Sequence, residues 1–117
     1  MSLGVSTEAV PGGWLVEVSG EVDLHTAPQL RAVLGALVAR ESPGESVVVD
    51  LTGVSFIDST GLGELVGAHK AVQRRGDRLH LVATNERVTR LLSLTGLDEV
   101  LHVHSDRFAA LAAVQQS

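Results

Sequence analysis

"VSFIDSTGLGELVG" occupies residues 54–67. Its apolar opening, Val54 to Ile57, reads as a strand, and Asp58-Ser59-Thr60 reads as the mouth of a helix. Leu62, Leu65 and Val66 then recur at helical spacing. Three glycines, Gly61, Gly63 and Gly67, interrupt that helix, although each costs about 1 kcal/mol relative to alanine in a helix interior. Two things follow from this stretch: a strand that feeds a helix, and a helix entrance made of small hydroxyls and bare backbone.

The same alternation extends in both directions. Just upstream, "SVVVDL" (46–51) is apolar without alternation, as a strand buried on both faces is. Residues 5–10 and 14–19 read as two strands joined by Pro11-Gly12-Gly13, with Trp14, Val16 and Val18 on one face. Thr26 and Gln29 match a capping box, and Pro28 is tolerated in the first turn. Behind them Leu30, Val33, Leu34, Leu37 and Val38 mark an amphipathic helix, which "ESPGES" (41–46) ends. The helix of the opening stretch runs from about Ser59 to Arg74 and buries Leu62, Leu65, Val66 and Val72. Downstream, "LHLVA" (79–83) is a strand, and Asn85 caps a short helix carrying Val88, Leu91 and Leu92. Gly96 suits that helix's left-handed C-terminal position. "EVLHV" (99–103) reads as the last strand, and Ser105 as the cap of a closing helix with Phe108, Leu111 and Ala112. The order β-β-α-β-α-β-α-β-α predicts one α/β domain over residues 1–117. Its central sheet is mixed and mostly parallel, with an N-terminal antiparallel hairpin strand and about four flanking helices.

Composition narrows the function. The chain has 117 residues, 44% of them hydrophobic, which suits one domain with one core. No apolar run is long enough to cross a bilayer, and no secretory signal opens the chain, so the expectation is a non-membrane, cytoplasmic protein. Zero cysteines exclude disulfides and thiolate metal sites. With a formal net charge of −5 and only Trp14, Phe56 and Phe108 as aromatics, nucleic acid is not an expected partner. Arg74, Arg75 and Arg78 read as a solvated helix end whose cations complement the helix dipole.

The helix mouth has a bland account: Asp, Ser or Thr caps it, and Gly67 lets the helix pack closely on the sheet. That account leaves Gly61 and Gly63 unexplained, at a joint cost of about 1–2 kcal/mol. They make sense where another molecule approaches the backbone. A helix N-terminus favours anions, and three chemical readings follow. "GLGELVG" misses the dinucleotide-loop spacing by one residue, and no G-K-S/T is present. A nucleophilic serine lacks its flanking glycine pattern, and Asp-Ser-Thr-Gly has one residue too many for an aspartic-protease motif. The third is a covalent phosphate on Ser59: the dianion is compatible with the molecule's own amides and dipole, whereas a docked protein would have to desolvate it beside Asp58.

The chain resembles a stand-alone STAS domain of the bacterial anti-sigma factor antagonist family. The resemblance lies in "GEVDLHTAPQLRAVL" (20–34), in "VSFIDSTGLGELVGAHKAV" (54–72) and in "LTGLDEVL" (94–101). It implies a non-enzymatic partner switch that needs no cofactor. The bare antagonist binds an anti-sigma factor that is also an ATP-using serine kinase, and a sigma factor is freed. Phosphorylation of Ser59, with Thr60 as a second acceptor, releases the antagonist, and a phosphatase resets it. The implied binding surface comprises Asp23, His25, Asp58, Ser59, Thr60, Gly61 and Gly63, with the exposed face of the second helix. The alternative is a small-ligand or nucleotide-binding STAS regulatory domain without a sigma-factor role. The expected state is a monomer or weak dimer.

Other residues read more plainly. His102 and His104 share a strand face without a nearby third ligand, so no metal site is expected. His69 is a partly buried structural histidine, and Trp14 is core or sheet-edge packing.

Overall fold

The computed structural model describes residues 3–40 and 44–116. Five strands form one sheet in the order β1-β2-β3-β4-β5: β1 Gly4–Val10, β2 Gly13–Val22, β3 Ser46–Ile57, β4 Leu79–Val82 and β5 His102–His104. The β1–β2 pair is antiparallel and every other pair is parallel. The helices are α1 Ala27–Val38, α2 Ser59–Arg74, α3 Glu86–Leu94, the one-turn α4 Leu97–Val100, and α5 Arg107–Gln115.

The unalternating run of β3 is buried on both sides. Val47, Val49 and Leu51 join a core with Leu30 and Leu34 of α1 and with Leu62, Leu65 and Val72 of α2. Val48 faces the other way, toward Leu15, Val82, and Ala110 and Val114 of α5. The hairpin turn is glycine for two reasons. Gly12 has φ +88°, and a Cβ on Gly13 would lie 1.8 Å from the Ser46 carbonyl oxygen.

Several local expectations change. Thr26 makes no side-chain cap to α1; its hydroxyl donates to the Glu21 carbonyl at 2.7 Å and accepts from the Asp23 amide at 2.9 Å. The hydroxyl therefore serves the loop before the helix. Val33, Val38 and Val66 are only half-buried. Residues 46–51 and 54–57 form one continuous strand, irregular against β2 between Glu17 and Glu21. Glu99 and Val100 belong to α4, where the Leu101 amide donates to the Leu97 carbonyl, so the last strand is confined to 102–104. Asp106 caps α5 in place of Ser105, accepting from the Ala109 amide at 2.7 Å. That helix buries Ala110 and Val114, while Phe108 is 84% exposed. Small alanines let α5 lie close on the sheet, and the bulky ring is left outside. Gly96 (φ +74°) and the Asn85 cap stand where the sequence puts them. Of "ESPGES", residues 41–43 lie outside the described residues.

Candidate functional site

The parallel β2–β3 pair ends at Val22 opposite Ile57. The loop after β2 and the mouth of α2 therefore emerge side by side at the C-terminal ends of parallel strands, where α/β folds present their loops. The Asp58 amide donates to the Val22 carbonyl at 3.0 Å and ties the two together.

Asp58 is the cap of α2: its Oδ1 accepts from the Gly61 amide at 3.0 Å. Because aspartate does the capping, Ser59 is left at the first helical position, exposed, with its hydroxyl unpartnered among the described residues. The Ser59 and Thr60 amides belong to the first turn and have no intrahelical carbonyl to bond. They sit at the positive end of the helix dipole.

The glycines divide. A Cβ on Gly61 would lie 2.5 Å from Val22 Cγ1 and 2.8 Å from Ile57 Cγ1, and Gly61 is buried. Its bareness lets α2 begin directly on the strand ends, an internal requirement in place of the partner approach expected from sequence. Gly63 and Gly67 are exposed with nothing near their missing Cβ atoms, so Gly67 does not serve packing on the sheet. With Gly35 they pave a groove of about 300 Å3 between α1 and α2, rimmed by Arg31 and Glu64.

The loop after β2 is tightly held. Asp23 Oδ1 accepts from the His25 amide at 2.9 Å and the Thr26 amide at 3.0 Å. The Thr26 amide foremost holds the Asp23 carboxyl below its ordinary value; desolvation, next in size, opposes it, and the His25 amide and the Thr26 hydroxyl add to the lowering. His25 is exposed, and Leu24, which sequence reasoning passed over, is 66% exposed. The available signal was a leucine set between Asp23 and His25 beyond the end of a strand. Hollows of about 580 Å3 on the α5 side of the sheet and about 300 Å3 between α1 and α2 include neither Ser59 nor Thr60.

The STAS domain family model matches residues 5–110. The anti-sigma-B factor antagonist of Staphylococcus epidermidis is 38% identical over 104 residues, covering 89% of this chain and 94% of that protein. The chain belongs to the STAS family, among the anti-sigma factor antagonists. A crystal structure of an anti-sigma factor antagonist from Mycobacterium paratuberculosis superposes with TM-score 0.88 at 34% identity, covering 97% of this chain and 94% of the other. The Bacillus cell fate determinant SpoIIAA in its phosphorylated form shares the fold, with TM-score 0.70 at 19% identity, covering 92% of this chain and 96% of that one.

Elsewhere in this STAS domain, His102 and His104 are joined by a third ring. Pairing of β4 with β5 sets His80 opposite His102, and His80 Nδ1 lies 3.0 Å from His104 Nε2. The His80 ring centroid is 5.3 Å from that of His102 and 5.2 Å from that of His104. Among the described residues no group of three or more His, Asp or Glu is arranged to hold a metal ion. Burial, then the charges of His104, His102 and Arg78, pushes His80 down to about 4. Burial also lowers His69 and His104. His69 is buried, with Nδ1 unpartnered among the described residues.

Arg75 is no solvated helix end. Its guanidinium donates to the Val38, Arg40 and Glu45 carbonyls at 3.2, 3.0 and 2.7 Å and pairs with Asp77 at 2.6 Å, clamping the end of α1 to that of α2. Trp14 is a half-buried packing residue whose Nε1 donates to Glu45 at 2.7 Å, with Arg40 stacked 5.0 Å above the ring. Sequence reasoning also missed Arg107, which donates to buried Asp50 at 2.8 Å and to Glu17 at 2.7 Å and ties α5 to the sheet. Among the described residues no helix is long and apolar enough to cross a membrane.

Proposed function

We propose that this STAS domain is a non-catalytic anti-sigma factor antagonist, a cytoplasmic monomer or weak dimer gated by phosphate on Ser59. The observation that carries the reading is the exposed Ser59 hydroxyl, unpartnered among the described residues, at the first position of α2, in a chain 38% identical to an anti-sigma-B factor antagonist. The bare form docks on an ATP-binding anti-sigma factor that is also a serine kinase, and a sigma factor is freed. In the transfer step Ser59 Oγ attacks the γ-phosphorus of ATP. The new O–P bond forms as the bond to the β–γ bridging oxygen breaks, ADP leaves, and the hydroxyl proton passes to a kinase base or to water. Thr60, one residue on, is the second acceptor. The partner-facing surface extends over Asp23, His25, Asp58, Gly63 and the exposed face of α2, with Gly61 as internal support.

The phosphate acquires about −1.5 to −2 charges at neutral pH. In the free domain it meets the Ser59 and Thr60 amides and the positive helix end. In the docked state it stands desolvated beside Asp58, unless the partner offers matching cations. A phosphatase returns the hydroxyl by hydrolysis. Among the described residues, hollows of about 580, 530 and 300 Å3 are lined by neither Ser59 nor Thr60, which disfavours the small-ligand or nucleotide-binding alternative.

The test is phosphotransfer. The domain is incubated with ATP and a kinase-type anti-sigma factor from the same organism, and phosphate is localised by mass spectrometry. Modification at Ser59 that disappears in Ser59→Ala supports the reading. Nucleotide binding by the isolated domain, with no transfer, favours the alternative.

A further inference from the structure

Resting on the proposed switch, one apolar residue beside Ser59 stands out. Among the described residues, Leu24 is one of five large exposed hydrophobics. Leu94, Val100 and Phe108 stand on α3, α4 and α5, and Phe56, opposite Glu21, turns away from the face that Ile57 presents to the core. Leu24 is the one on the loop beside the mouth of α2. It is two residues from Val22, whose carbonyl takes the Asp58 amide, and Ser59 is the next residue on. Chain reach alone therefore holds Leu24 and Ser59 within about 16 Å. A stable protein interface covers about 800 Å2 on each partner, a disc about 16 Å in radius. A kinase that brings ATP to Ser59 spreads its footprint over Leu24.

Exposed loop residues normally lose freedom on binding, which weakens them as contacts. Leu24 is different because its neighbours are already fixed. Asp23 Oδ1 holds the His25 and Thr26 amides, the Asp23 amide donates to the Thr26 hydroxyl, and the Ala27 amide donates to the Asp23 carbonyl at 2.8 Å. The loop is bonded on both sides of Leu24, and the leucine is turned outward by that scaffold. A prepaid conformation presenting an apolar side chain is the make-up of an interface anchor.

We infer that Leu24 is the apolar anchor by which the kinase-type partner grips this domain, seated in a hydrophobic pocket beside the kinase active site, and that Asp23 is its positioning residue. Withdrawing a leucine side chain from water is worth about one to two powers of ten in affinity. The partner is recognised by that pocket, and Asp23 acts through the loop.

Titration calorimetry against the ADP-loaded kinase tests this, with Ser59-phosphorylated protein run in parallel. Leu24→Ala is expected to bind at least tenfold more weakly. Leu24→Met, which keeps the apolar bulk, is expected to stay within about threefold of wild type, and Phe108→Ala to be unchanged. Asp23→Ala is expected to weaken binding and speed hydrogen exchange at the His25 and Thr26 amides, whereas Asp23→Asn, which keeps the acceptor oxygen, restores both. Leu24→Ala within twofold of wild type overturns the anchor. If phosphorylation still abolishes binding in that case, the switch itself survives; if phosphorylated and bare protein bind alike while Leu24→Ala is weak, the switch fails and the anchor stands. Asp23→Asn as weak as Asp23→Ala, with normal exchange, overturns the positioning role.

Discussion

The Cβ that Gly61 lacks would sit 2.5 Å from Val22 Cγ1. One missing methyl thus sets how closely α2 begins against the strand that carries the Asp23 loop. Gly61→Ala is expected to destabilise the fold by about 1–3 kcal/mol, the usual cost of overpacking. Gly63→Ala, in open space, is expected to leave stability unchanged or raise it by up to about 1 kcal/mol. Urea unfolding midpoints of the two variants separate an internal glycine from a surface one. Equal destabilisation would mean that α2 is not seated as described.

Asp58 is both a strand-to-helix tie and a cap. Asp58→Ala removes the acceptor for the Gly61 amide and is expected to cost about 1 kcal/mol, with fraying of the first turn of α2 visible in amide exchange. Ser59→Ala removes a hydroxyl with no bonding partner among the described residues and is expected to leave stability within about 0.5 kcal/mol.

The histidine cluster predicts acid sensitivity well above the carboxylate range. His80 binds its proton near pH 4 in the folded chain and near 6.5 when unfolded, so below pH 6.5 the unfolded chain takes up protons first. Stability contributed by neutral His80 is complete above about pH 6.5 and falls as the pH drops toward 4, by about 3 kcal/mol at most. The lowered His69 and His104 act in the same direction. Asp23, Glu45 and Asp50, held below their ordinary values, lose their contributions only at lower pH. Denaturant midpoints between pH 7 and 4.5 are expected to fall steeply in wild type and less steeply in His80→Gln. Parallel slopes in the two proteins would contradict the cluster.

Arg75 closes the far end of the α1–α2 pair. Arg75→Ala strands buried Asp77 and three carbonyls, and is expected to cost about 3 kcal/mol. Arg74→Ala, on an exposed residue in the last turn, is expected to cost no more than about 0.5 kcal/mol. Thermal melts of the two variants check the contrast.

These residues also show how far the chain could be understood before folding. The buried run Val47-Val48-Val49, the spacing of Leu30, Leu34 and Leu37, and the Asn85 and Gly96 termini are local signals, and each leads to the right element. Ser59 as an exposed hydroxyl at a helix mouth was equally legible. What escaped depends on distant partners. Arg75 looks solvated until the end of α1 is placed against it, and His80 joins the other two rings only through β4–β5 pairing. Phe108 stands outside although apolar bulk suggests burial, because the close approach of α5 to Leu15, Val48 and Val82 admits Ala110 and Val114. Gly61 and Gly63 look alike in the sequence, and only Val22 and Ile57 tell them apart.

The most direct measurement is the affinity of the kinase-type anti-sigma factor for this domain before and after stoichiometric phosphorylation of Ser59. The account predicts a loss of at least a hundredfold, corresponding to about 3 kcal/mol, with no loss of folded structure. Equal affinities for the two forms would contradict it.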